Sequence, residues 1–69
     1  MPLSLAPVGS EVQIKVIKGR DETRRFLENL GFLAGTPVTV ITDLGGNLIV
    51  HVKESRVAIS RSMANRILI

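Results

Sequence analysis

Sixty-nine residues with no cysteine, 45% hydrophobic side chains and a formal net charge of +3 bound the chain to one small domain, residues 1–69, whose core rests on Val, Ile and Leu without disulfide staples or thiolate metal clusters. At that size only about 60% of the unfolded surface is removed from water on folding, so little stability is held in reserve. The N-terminus lacks a basic region, Pro2, Pro7 and Gly9 interrupt any apolar run, and no segment approaches the ~20 apolar residues of a membrane span. These features exclude a signal peptide and a transmembrane helix, and a cytoplasmic protein is expected.

Taken in chain order, Glu11 to Ile17 alternates Val12, Ile14 and Val16 against Gln13 and Lys15, the period of a half-buried strand. Asp21 to Leu30 is predicted helical: Asp21 and Glu22 place acid groups at the positive N-terminus, and Phe26, Leu27 and Leu30 form one apolar stripe. Gly31 stops that helix by taking a positive φ, and Phe32 just beyond it can fold back onto Leu27. Ala34-Gly35 suits the central pair of a type II turn, and Pro37 biases Thr36 to extended geometry, launching a strand over Pro37 to Ile41 with Val38 and Val40 inward.

Thr42 to Asn47 is turn chemistry, with Gly45-Gly46 and Asn47 tolerating positive φ, so the strand hairpins into Leu48 to Val52. Lys53-Glu54-Ser55 turns into a short fourth strand, Arg56 to Ile59. Ser60 caps one helical turn through Met63 and Ala64. Arg66 to Ile69 ends apolar and must pair with Pro2 to Leu5 or with the first strand, which closes the sheet. The expected fold is mainly β: a small SH3-like five-stranded barrel with one α-helix inserted between the first and second strands and a short helical turn before the last.

In this order the chain resembles the FeoA family, small cytosolic partners of the FeoB ferrous-iron transporter. The resemblance is carried by Leu5-Ala6-Pro7-Val8-Gly9, by Arg24-Arg25-Phe26-Leu27-Glu28-Asn29-Leu30-Gly31-Phe32, by Gly35, and by Ala64-Asn65-Arg66-Ile67. Phe26 stands where the family more often has Leu. The resemblance implies an accessory or regulatory contact with the transporter's cytoplasmic GTPase region. Separately, Arg56, Arg61 and Arg66 suit peripheral proximity to an anionic membrane, where each basic residue is worth about 1 kcal/mol, and weak homo-oligomerisation is a further expectation. The same domain resembles the C-terminal interaction module of some metal-dependent transcriptional repressors, which carry a DNA-binding domain upstream. With only Pro2 to Ser10 ahead of the first strand, the stand-alone form is expected.

The side chains point away from chemistry. His51 is the only histidine, on a strand between Val50 and Val52, and by alternation it faces outward with Ile49 and Lys53; without cysteine, the further ligands that a metal requires are not in view. No Ser sits in a nucleophile elbow, and Gly45-Gly46 lacks the Lys and Ser/Thr of a phosphate loop. Catalysis, a metal and a cofactor are therefore not expected.

The rival reading is a nucleic-acid-binding barrel. Its support is charge: after Thr36, Lys53, Arg56, Arg61 and Arg66 face only Asp43 and Glu54, whereas five earlier cations nearly balance four anions. Against it, Phe26 and Phe32 are the only aromatic residues, both accounted for by helix packing, so no exposed ring is left to stack a base. Arg24 and Arg25 are the expected partner-binding pair, because the inner helix face is apolar and a guanidinium fork suits carboxylates on a protein surface. The alternative is intrahelical pairing of Arg25 with Asp21 and of Arg24 with Glu28. Phe32 joins the partner-binding set if it is exposed, and packs against Leu27 if it is folded back. Gly31 and Gly35 are assigned a structural turn role.

Overall fold

A computed structural model describes all 69 residues. In chain order the elements are a 3-10 turn at Leu3–Leu5, β1 (Glu11–Gln13), β2 (Val16–Ile17), α1 (Glu22–Asn29), β3 (Pro37–Asp43), β4 (Asn47–Val52), β5 (Ser55–Ser60), α2 (Arg61–Ala64) and β6 (Ile67–Leu68). β1, β3, β4 and β5 lie side by side in one antiparallel sheet, and β2 pairs with β6 in a second. The architecture is mainly β with a helix before β3 and a helical turn before the last strand.

Alternation sets the large sheet. Val38, Val40, Leu48, Val50, Val52 and Ile59 all point inward, each at most 2% exposed. The pairs Val40–Val50 and Val50–Val57 hold β3, β4 and β5 in register, and one extra residue, Ile41, makes a bulge before Thr42 meets Ile49. In the β3–β4 loop the Gly45 N–H donates to Asp43 Oδ1 at 2.9 Å and the Leu44 N–H to the Asn47 carbonyl at 2.8 Å. Between β4 and β5, Val52 pairs with Ser55, so Lys53 and Glu54 alone make the turn, at φ of 49° and 63°. Both central residues of a two-residue type I′ turn need positive φ, here adopted by residues that carry a Cβ.

The first strand differs from its expected form. Glu11, Val12 and Gln13 pair with Thr39, Val38 and Pro37, but Val16 and Ile17 pair with Leu68 and Ile67 instead. The chain leaves one sheet for the other at Ile14 and Lys15, where the Ile14 N–H donates to the Thr36 carbonyl at 3.0 Å and the Lys15 N–H to the Leu68 carbonyl at 2.7 Å. Changing sheets resets the alternation. Ile14 (1% exposed) and Ile17 (4%) face the core, while Val16 is 44% exposed. The expected single strand is thus two, and the expected five strands are six.

The terminal segment takes both of its candidate partners. β6 pairs with β2 on one side, Pro2 bridges Leu68 on the other, and the Ile69 N–H reaches the Met1 carbonyl at 2.7 Å. α1 ends in a Schellman arrangement: the Gly31 N–H donates to the Glu28 carbonyl at 3.0 Å, the Phe32 N–H to the Leu27 carbonyl at 3.1 Å, and Gly31 has φ of +107°. The next turn closes with the Thr36 N–H on the Leu33 carbonyl at 3.0 Å, Gly35 having φ of +86°. Ser60 caps α2, its Oγ accepting from the Met63 N–H at 3.2 Å. Thirteen hydrophobic residues form one buried cluster between the two sheets and α1, among them Leu3, Ile14, Leu27, Phe32, Ala64 and Ile67.

Candidate partner-binding surface

Eight residues make too short a helix to persist alone, so what α1 offers to a partner depends on how it is anchored. Its N-cap is Asp21, whose carboxylate accepts the Arg24 N–H at 3.3 Å. The same carboxylate accepts hydrogen bonds from Nη1 and Nη2 of Arg66, at 2.7 and 3.0 Å, a residue 45 positions away. Arg66, followed by the Arg24 N–H, holds the Asp21 carboxyl down at about 2, and Asp21 raises Arg66 in return. The expected Asp21–Arg25 pair does not form, because a capping carboxylate folds back over the helix end rather than along its flank.

That leaves the two arginines unlike each other. Arg24 is engaged: its Nε meets Glu28 at 3.4 Å and its Nη1 donates to the Gly19 carbonyl at 3.1 Å. Arg25 is exposed and makes no ion pair.

Of the two readings open for Phe32 the folded-back one holds, which removes it from the partner-binding set, while Phe26 departs from its expected place. Phe32 is 0% exposed, within the same buried cluster as Leu27, and is not available to a partner. Phe26 is 49% exposed rather than part of an inner stripe. The helix is narrow at the core, with Leu27 alone fully buried and Leu30 half-buried, and the Schellman exit delivers Phe32 into the space beside them. Leu33, just past the exit, is 44% exposed. The sequence pattern places Phe26 on the inner stripe and does not single out Leu33, since spacing alone does not say which apolar residue near the helix finds room in the core.

The outer face of the large sheet is polar. Cross-strand register places Glu11, Thr39, His51 and Arg56 in one row across all four strands. A shallow depression of about 300 Å³ opens there, with His51 between Glu11, Thr39, Lys53 and Glu54 and no hydrophobic residue in its lining. No three His, Cys, Asp or Glu side chains converge on a point. At the far end of the hairpin Arg61 is bound inward: it meets the Asp43 carboxylate, the Gly45 carbonyl and, at 3.3 Å, the Ser4 carbonyl. Arg61, with the Gly45 N–H second, lowers the Asp43 carboxyl.

Two antiparallel sheets closed around one core, with a helix inserted before β3, define a small SH3-like barrel. The FeoA domain family model matches residues 1–69. The chain belongs to the FeoA family. It is 32% identical over 68 residues to a Methanocaldococcus jannaschii protein named Fe(2+) transport protein A, covering 99% of this chain and 83% of that one. Among solved structures it resembles the iron uptake regulatory protein FeoA, at 26% identity and a TM-score of 0.89, over 97% of this chain and 91% of that one. It also resembles the Stenotrophomonas maltophilia FeoA complexed with zinc, described as a procaryotic SH3 domain protein, at 30% identity and a TM-score of 0.86, over 99% and 87%. No helix of the chain is long and apolar enough to cross a membrane.

Proposed function

We propose that this chain is a cytoplasmic accessory protein of ferrous-iron transport, which binds the cytoplasmic GTPase region of a FeoB-type transporter and has no catalysis or cofactor of its own. The family match over the whole chain supports the transport role. The binding surface rests on one observation: α1 and its exit carry an unpaired Arg25 next to a half-exposed Phe26, with Leu33 exposed beyond. Phe and Arg side chains are enriched at the cores of protein interfaces, and here the two are consecutive and both exposed. In this reading Phe26 fills a pocket on the transporter domain, Arg25 engages a carboxylate at its rim, and Arg24 holds the helix start through Glu28 and Gly19.

The test is titration calorimetry with the purified cytoplasmic domain of the cognate transporter. Phe26→Ala is expected to cost about 2 kcal/mol of binding, and Arg25→Glu to weaken it as well, mainly at low salt. Arg56→Glu, on the opposite sheet face, leaves binding unchanged. Gel shifts with RNA on the same variants provide the contrast: RNA binding that falls with Lys53 and Arg56 substitutions, with no transporter binding, would contradict the proposal.

A further inference from the structure

Ion pairing redistributes the charge of this molecule. Arg24, Arg61 and Arg66 are held by Glu28, Asp43 and Asp21. Of the remaining charges, Lys53 and Arg56 share the large sheet and its turn with Glu11 and Glu54, two cations against two carboxylates. Lys15, Lys18, Arg20 and Arg25 face only Glu22. The whole net charge of +3 therefore lies between Lys15 and Arg25, and not in the later half where counting along the chain places it.

This charged run borders an apolar face. In the small sheet Val16 lies opposite Leu68, and Pro2 bridges Leu68 from the other side, so all three side chains share one face. It is the outer face, since Ile17 and Ile67, on the alternate side, are 4% and 0% exposed. Val16 is 44% exposed, and Pro2 and Leu68 beside it are half-buried. The Lys18 N–H donates to the Arg66 carbonyl at 2.8 Å, which extends the ladder by one pair and puts Lys18 next on the same face. Arg66 there turns to Asp21, so Lys18 supplies the free charge on this face, while Lys15 and Arg20, exposed and without ion pairs, precede and follow β2 in the chain.

We propose that the outer face of the β2–β6 sheet docks peripherally on an anionic lipid bilayer. A bilayer surface presents phosphate headgroups and, a few ångströms deeper, acyl chain, which matches an exposed Val16 flanked by half-buried Pro2 and Leu68, with Lys18 on the same face and Lys15 and Arg20 at the two ends of β2. The docking row contains neither Phe26 nor Arg25, so its test is separate from that of the transporter contact.

Co-sedimentation with phosphatidylcholine vesicles, with and without phosphatidylglycerol, tests it. Binding is expected only with the anionic lipid, and it weakens as salt rises through ~0.15 M, where the Debye length is about 8 Å. Lys18→Gln and Arg20→Gln each lower the partition coefficient about fivefold, and Val16→Ser lowers it several-fold. Lys53→Gln and Arg56→Gln leave it unchanged. All five sites are exposed, and urea midpoints check that each variant is folded. Equal binding to neutral vesicles, no sedimentation with either, or an equal loss from Lys53→Gln would overturn the proposal. So would displacement by single-stranded RNA at equal phosphate concentration with Val16→Ser unaffected, since that marks a general polyanion site.

Discussion

At Gly31 two constraints meet. Its φ of +107° excludes an easy side chain, and a Cβ built there would lie 2.7 Å from Lys53 Cγ, because the stem of Lys53 crosses the helix exit. Gly35 has the first constraint alone: φ is +86°, and a Cβ added there would meet nothing within 4 Å. Left-handed backbone costs a residue with a side chain roughly 1–2 kcal/mol, while lost unfolded-state freedom returns less than that. Gly35→Ala is thus expected to cost about 1 kcal/mol and Gly31→Ala about 2 or more, measured by urea melts. Equal or negligible losses would mean that the helix does not exit through Gly31 into the seat of Phe32. The strain tolerated at Lys53 and Glu54 belongs with this feature, since that turn is what lays Lys53 across Gly31.

At the scale of elements, α1 is held mainly from outside itself. Asp21 caps it and binds Arg66, so one carboxylate ties the helix start to the approach to β6. The Asp21 carboxyl is lowered from 3.8 to about 2 in the folded chain. Its ionised form therefore favours the fold: the contribution is complete above about pH 4 and is lost as pH falls through about 2. Asp43, lowered by Arg61, acts in the same direction. The urea midpoint is expected to drop between pH 4 and pH 2. Asp21→Asn should flatten that drop without abolishing it, and should be less stable than the parent at neutral pH. Side chains as exposed as Asp21 (53%) are screened, so added salt narrows the difference. An unchanged pH slope in Asp21→Asn would remove this tie from the account.

For the molecule as a whole, closure is a matter of a few long-range stitches. Met1 and Ile69 exchange backbone bonds, Ser4 meets Asn65, and Arg61 gathers Ser4, Asp43 and Gly45 at the end of the hairpin. By charge counting alone Arg61 is a free surface cation whose charge could be reversed at little cost. It instead joins the N-terminal turn, the β3–β4 loop and α2. Its hydrogen bonds are charge-assisted but partly solvated, so Arg61→Ala is expected to cost about 1 kcal/mol, while Arg56→Ala stays within about 0.5 kcal/mol. Thermal melts of the two variants side by side decide it, and equal midpoints would contradict the stitch. Arg61 is for that reason unsuitable as an inert control in binding assays.

What the amino-acid order determined by itself was what depends on near neighbours. The period of Val38 to Val52, the turn at Gly45-Gly46, the helix stop at Gly31, the cap at Ser60 and the outward His51 were all legible, because alternation, positive φ and capping act within a few residues. Arg24 and Arg25 were legible as helix residues for the same reason. Only the tertiary structure decided that the first strand divides between two sheets, that Phe26 stays outside while Phe32 takes the folded-back of its two readings, and that Arg61 and Arg66 are held by Asp43 and Asp21. Each depends on segments far apart in the chain: Val16 meets Leu68, and Arg66 meets Asp21 across 45 positions. A local pattern specifies which face of a segment is apolar, but a barrel must bend a strand to close, and closing it selects which of several apolar or charged side chains has room inside.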